Sequence, residues 1–189
     1  MKLFYLILVL LQAPLLFAQE KKLQRNVLGH IEVSEVVQLD SFPAAQLYFN
    51  ARLFLNSMYQ HNSETIQLWD DKSKTVATKA TFPVTITNRR GDEIKAKTSF
   101  ALAIQSKDNL YKYTIDDFYF AYTEETGVTS YASFNDRLGV GMSPKQWQQV
   151  EAQTEDFLRR FIPDLKEQMQ QKEILCKELL HGKKKDKKK

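Results

Sequence analysis

Between residues 74 and 122 the chain alternates apolar and polar side chains in three successive stretches separated by short polar breaks. That period of two dictates a meander of antiparallel strands. In the first stretch Val76, Thr78, Ala80, Phe82, Val84 and Ile86 share one side, and Thr75, Ala77, Lys79, Thr81, Thr85 and Thr87 the other. Pro83 has no amide to donate to a ladder, which places it at an edge, a bulge or a break. The turn Asn88-Arg89-Arg90-Gly91-Asp92 leads to a second stretch, with Phe100, Leu102 and Ile104 opposite Ser99, Ala101, Ala103 and Gln105. After Lys107-Asp108-Asn109 come Tyr111, Tyr113 and Ile115, then Phe118, Phe120 and Tyr122. The frame slips by one residue at Asp116-Asp117, as a β-bulge would make it.

Upstream, Ile31, Val33, Val37 and Leu39 alternate with Glu32, Ser34 and Gln38, which predicts a first strand. Ser41 offers an N-cap and Pro43 an early helical position for a helix from about Pro43 to Tyr59, with Leu47, Ala51, Phe54 or Leu55, and Met58 at helical spacing. Ile66 and Leu68 then alternate into a hairpin turn at Asp70-Asp71-Lys72-Ser73-Lys74. Downstream, an irregular link with Gly139 and Gly141 precedes Ser143-Pro144-Lys145-Gln146, a capping box with Pro at the first helical position. The stripe Trp147, Val150, Phe157, Leu158, Phe161, Leu165 and Met169 follows, wide enough to dock on a sheet. Pro163 within it predicts a kink, or a break into two helices, at Phe161-Ile162.

The two ends carry different signals. Lys2, the apolar run Leu3 to Leu11, and a second short apolar piece ending at Phe17-Ala18 before Gln19-Glu20-Lys21-Lys22 describe a secretory signal peptide cut after Ala18. Pro14 and the shortness of the run argue against a spanning helix. No Cys follows that run to accept a lipid, and Cys176 alone forms no internal disulfide, so it reads as a half-buried helix residue. The positive sign of the formal charge of +4 comes from Lys2 (+1) and from Lys183, Lys184, Lys185, Lys187, Lys188 and Lys189, which with Asp186 amount to +5, leaving −2 for residues 19–182. The lysine run reads as a solvated tail, or as a salt-dependent attachment to anionic lipid or polysaccharide.

Catalytic chemistry finds little support in the residue pattern. His30, His61 and His181 lie far apart with no metal-ligand spacing. Asp70-Asp71, Asp116-Asp117 and Glu124-Glu125 could flank a glycosidic bond, but two of these pairs sit in or beside turns, where acids serve local hydrogen bonding. Gly139-Val140-Gly141 lacks a third Gly and a preceding strand, and no nucleophile elbow occurs. No catalytic residue, cofactor or metal is assigned.

The order strand, helix, meander, helix, carried by Ala51-Arg52-Leu53-Phe54-Leu55, Ile66-Gln67-Leu68, Lys74-Thr75-Val76 and Tyr111-Lys112-Tyr113-Thr114-Ile115-Asp116-Asp117-Phe118, resembles a bacterial family over residues 31–122. That family groups exported envelope proteins of unknown function described as having a TATA-binding-protein-like (TBP-like) fold. The resemblance implies fold and compartment and carries no activity. The expected organisation is a signal peptide over 1–18, a linker over 19–30, a TBP-like α+β domain over 31–125, a linker over 126–142, a C-terminal helical extension over 143–181 and a disordered lysine-rich tail over 182–189. The fold expected is α+β: an antiparallel sheet of four or five strands in β-α-β-β-β-β order, one helix packed on it, and a long kinked C-terminal helix.

The face bearing Thr81, Thr85, Ala101, Ala103 and Thr114 is the informative surface. It is expected to seat the C-terminal helix; left uncovered, it would be a shallow groove for a partner. With one Lys on that face, an acidic body and an export signal, nucleic acid is not expected as a partner. The function expected is that of an exported, non-catalytic module binding a protein or envelope component. An envelope hydrolase using paired carboxylates and a structural subunit of a surface assembly are the alternatives.

Overall fold

A computed structural model describes residues 23, 25–27, 29–59, 67–88, 90–123, 127–136 and 141–172. The leader, the lysine tail, Cys176, His61, His181, Ile66, Gly139 and Glu124-Glu125 lie outside the described residues. The alternating stretches form β1 (Val33–Gln38), β2 (Gln67–Asp70), β3 (Thr75–Thr87), β4 (Glu93–Lys107) and β5 (Leu110–Thr123), with α1 (Ala44–Tyr59) between β1 and β2. A sixth strand, β6 (Thr129–Ser133), precedes α2 (Pro144–Met169). The sheet is antiparallel in the order β1-β5-β4-β3-β2, and β6 also pairs with β5.

The number of strands therefore exceeds the expectation by one. The segment read as a link over 126–142 supplies β6, whose sequence buries only Ala132 fully and so shows no apolar alternation. β1 pairs with the first half of β5, from Leu110 to Ile115, and β6 with the second half, from Tyr119 to Thr123. The expected bulge lies between them: Ser99 faces Tyr119 and Ala101 faces Asp116, so β5 carries one extra residue there. Asp117 takes it up at a φ of 53°, a left-handed conformation that Asp tolerates better than most residues.

Both helices cover the same side of the sheet, here called the inner face. Phe82, Phe100, Phe118 and Phe120 project from it, and α2 brings Trp147, Phe157 and Phe161 against them. Phe157 stacks on Phe82 at 4.0 Å, and Phe161 meets Phe54 of α1 edge-on at 5.4 Å. This corrects the expectation that α2 would seat on the small-residue face. Apolar stabilisation scales with the area removed from water, and a face of Phe side chains offers the stripe of α2 far more than one of Ala and Thr. The helix also runs through Pro163 as one element instead of breaking in two. Pro163 and Arg159 are both exposed, so the carbonyl that proline leaves without a partner sits on the solvent side.

Local signals hold at the helix starts with one exception. Ser143 and Gln146 form the capping box read from the sequence. Ser41, expected to cap α1, instead adopts a φ of 66°, and the amide of Ala44 donates to Asp108 Oδ1 in the β4–β5 turn at 2.7 Å. Where α1 meets the end of α2, Asn50, fully buried, donates through Nδ2 to the carbonyls of Met169 (3.0 Å) and Gln171 (2.9 Å). Gln46 Nε2 donates to Asn50 Oδ1 at 2.8 Å, orienting the amide. The Gln171 carbonyl accepts from Gln46 Nε2 as well, at 3.3 Å, while the Met169 carbonyl at the end of α2 is satisfied by Asn50.

Pro83 sits where the sequence allows it. β2 covers β3 only from Thr75 to Thr78, so the rest of β3 is an edge. Glutamines of α2 close that edge: Thr85 donates to Gln153 Oε1 (2.9 Å) and accepts from Gln153 Nε2 (2.7 Å), and Thr87 donates to Gln149 Oε1 (3.0 Å). Replacing Gln153 by Ala should lower stability by about 1 kcal/mol, two partly exposed hydrogen bonds being lost. It should also raise the aggregation rate in light scattering, because the ladder groups of Thr85 become a template.

Candidate functional site

Among the described residues nothing covers the outer face of the sheet, and all five residues singled out from the sequence lie on it. The strand registers line up Leu68, Ala77, Ala103, Thr114 and Ser34 in one row across β2, β3, β4, β5 and β1. The adjoining row is Lys79, Ala101 and Asp116, and the next is Thr81, Ser99, Tyr119 and Ser133. Thr85 stands farther out, at the margin capped by Gln153. A shallow trough of small side chains therefore crosses the sheet. Large apolar residues frame it on the same face: Val36 is 56% exposed, Leu68 63% and Tyr131 66%. Side chains so exposed contribute nothing to the core, and isolated ones need no explanation, but three on one open face make a surface suited to contact.

Charge on this face is mixed. Lys79 pairs with Asp117 at 3.4 Å and lies over the Tyr119 ring. Lys95, Lys97 and Lys112 share the face, so it holds more lysine than the single residue expected: β4 begins at Glu93, six residues before the stretch read as a strand, and brings Lys95 and Lys97, while Lys112 stands on β5. Glu93, Asp116 and Asp117 answer them. Burial pushes the Asp116 carboxyl above the usual range, with Asp117 and Glu32 adding to it. Hydrogen bonds from Asn26 and Ser34 hold Glu32 low. A raised folded-state pKa means the penalty is absent below the unfolded value and is felt as pH rises through the folded one. Asp116→Asn should therefore raise Tm at pH 7 and leave it nearly unchanged at pH 3, as read by calorimetry.

A second feature was not singled out from the sequence. A groove of about 950 Å³ runs between β1 and α2, walled by Leu23, Val33, Leu158, Ile162 and Pro163. At its side Glu35 accepts hydrogen bonds from Tyr113 Oη (2.8 Å) and Lys166 Nζ (2.7 Å). Burial, and then the bond to Glu35, push the Tyr113 hydroxyl well above its ordinary value, so it stays protonated as a donor. The available signal was Glu35 itself, a charge on the apolar side of an alternating strand. The other acids have local duties: Asp70 accepts from the amides of Lys72 and Ser73 and from Ser73 Oγ within its turn, which holds its carboxyl low. His30 is exposed beside the turn at Gly29. Among the described residues no group of His, Cys, Asp and Glu is placed to hold a metal, and no helix is long and apolar enough to cross a membrane.

Residues 34–121 match a family model described as a domain of unknown function (DUF4468) with TBP-like fold. A TBP-like protein from Parabacteroides distasonis shares the fold at a TM-score of 0.64 and 12% identity, covering 80% of this chain and 99% of that one. A DUF4468 family protein from Bacteroides ovatus does so at a TM-score of 0.60 and 11% identity, covering 78% and 90%. No curated protein matches. At such identities the likeness is one of fold.

Proposed function

We propose that this chain, which belongs through residues 34–121 to the DUF4468 family of domains with TBP-like fold, is an exported, non-catalytic module that binds a protein or other component of the cell envelope on its outer sheet face. One observation carries the reading: both helices pack on the inner face, so the trough through Ala77, Ala101, Ala103 and Thr114 has no cover among the described residues, while Val36, Leu68 and Tyr131 stand exposed around it. Interspersed lysines and carboxylates suit a protein surface better than a phosphate backbone, which calls for a continuous basic footprint. Export rests on the basic, apolar and small-residue pattern of residues 1–18. The lysines from Lys183 to Lys189 would assist by salt-dependent attraction to anionic lipid or polysaccharide.

The test is capture from envelope extract at about 0.5 M salt, where screening removes the contribution of the tail. The unmodified chain should retain a partner, and Ala103→Arg should lose it at least tenfold while Tm stays within about 2 °C, a surface change having little effect on stability. Equal capture by both would remove the outer face from the function. The hydrolase reading draws on the opposite shifts of Asp116 and Glu32. It stands only if envelope polysaccharide is cleaved and Asp116→Asn abolishes cleavage.

A further inference from the structure

Between the last turns of α1 and the second half of α2, a cavity of about 560 Å³ opens on the inner side of the sheet. Among the described residues it shares only Glu167 with the groove beside β1. Phe157, Phe161, Asp164 and Gln168 line it at steps of four, three and four, which puts them on one stripe of α2. Phe54 and Met58 enter from α1, Ala80 from β3 and Phe100 from β4. The four rings form one connected wall: Phe161 lies 5.2 Å from Phe157, 5.4 Å from Phe54 and 5.6 Å from Phe100. Phe157 is only half-buried, and so has ring surface to offer.

The charge on this aromatic cavity has one sign. Asp164 and Glu167 stand exposed on its rim, and no described lining residue is cationic. The cations of α2 nearby are committed elsewhere: Arg159 and Arg160 to Asp156 at 3.6 and 3.7 Å, and Lys166 to Glu35 at 2.7 Å. Among the described residues neither Asp164 nor Glu167 has an ion pair. Aromatic rings attract a cation placed over their faces, and the two carboxylates add to that attraction. A primary ammonium would surrender its hydrogen bonds to water there and find no matching set of acceptors among rings. A fully alkylated ammonium presents apolar methyl groups instead and has no N–H to leave unpaired.

We propose that this cavity binds an organic cation of the quaternary alkylammonium class, its methyl groups against the phenylalanine wall and its charge answered by Asp164 and Glu167. The site is independent of the outer face, because it opens on the side of the sheet that carries the helices.

Titration of the full chain with choline, followed by backbone-amide NMR, tests this. The amides of Ser57, Ala80, Phe161 and Asp164 should shift saturably, while those of Ala103 and Thr114 on the outer face stay still. The uncharged isostere of choline, with carbon in place of nitrogen, should bind at least about tenfold more weakly, since it fills the same space without the charge. Ethanolamine, whose primary ammonium holds its water, should also bind at least about tenfold more weakly. Asp164→Asn combined with Glu167→Gln should weaken choline about threefold or more, the modest scale of exposed charges. Both side chains are exposed, so Tm should stay within about 2 °C and report that the double variant is folded. Equal binding of choline and its isostere would overturn the proposal and leave a merely apolar hollow. Equal binding of choline and ethanolamine would overturn it as well, leaving attraction to surface charge. Unmoved amides at Ser57, Ala80 and Phe161, or an affinity that the double variant retains, would equally overturn it.

Discussion

Phe100→Ala should lower the free energy of unfolding by about 3–5 kcal/mol, the cost of deleting a large ring from a site that cannot collapse. Phe100 is fully buried at the centre of β4 and meets four other rings: Phe157 and Phe161 at 5.6 Å, Phe118 at 6.0 Å and Phe82 at 6.2 Å. Two of those rings come from the sheet and two from α2, so the cavity would open where the layers join. Urea titration should show a lower midpoint with an unchanged slope. Phe100→Leu, which keeps most of the volume, should lose about 1 kcal/mol. A loss under about 1 kcal/mol for the alanine variant would mean that the ring cluster closes over the gap.

Asn50→Asp should cost about 3–5 kcal/mol at pH 7, because a buried carboxylate would face the carbonyls of Met169 and Gln171 in place of an amide donor. The carboxyl can repair the contact only by keeping its proton, so its folded-state pKa must rise above the unfolded value of about 3.9. The folded state then holds the proton that the unfolded chain releases. Relative to the unsubstituted chain, the stability of the variant is accordingly greatest below about pH 4 and falls as pH rises toward the folded pKa. Asn50→Leu removes the same donor without adding a titrating group, and its loss should not vary with pH relative to the unsubstituted chain. Parallel pH profiles for the two variants would show that the Asp side chain turns away from the carbonyls.

What could be read from the sequence was set by local rules. The period of two in 74–122, the slip at Asp116-Asp117, the tolerance of Pro83 and the box at Ser143 and Gln146 each depend on neighbours in the chain, and each reappears in the fold. The placement of α2 does not depend on neighbours. It follows from a comparison of two sheet faces whose aromatic content becomes visible only when β3, β4 and β5 lie side by side. β6 escaped because a strand that buries only Ala132 fully has no hydrophobic rhythm. Asn50 and Glu35 escaped because their partners lie 119 and 131 residues away, and a polar residue in an apolar stripe announces only that some partner exists. The five residues named from the sequence stand on one sheet face, and what leaves that face uncovered among the described residues is the aromatic content of the other one.

The family match stops at residue 121, yet the rings that α2 places on Phe82 and Phe100 belong to the same core as the meander. A fragment cut at the boundary of sequence similarity would carry an aromatic surface into water and should not fold by itself. The segment that the family model matches and the unit expected to melt cooperatively therefore have different ends in this chain. Shuffling the matched segment into another protein would require carrying along a helix that the family match does not reach.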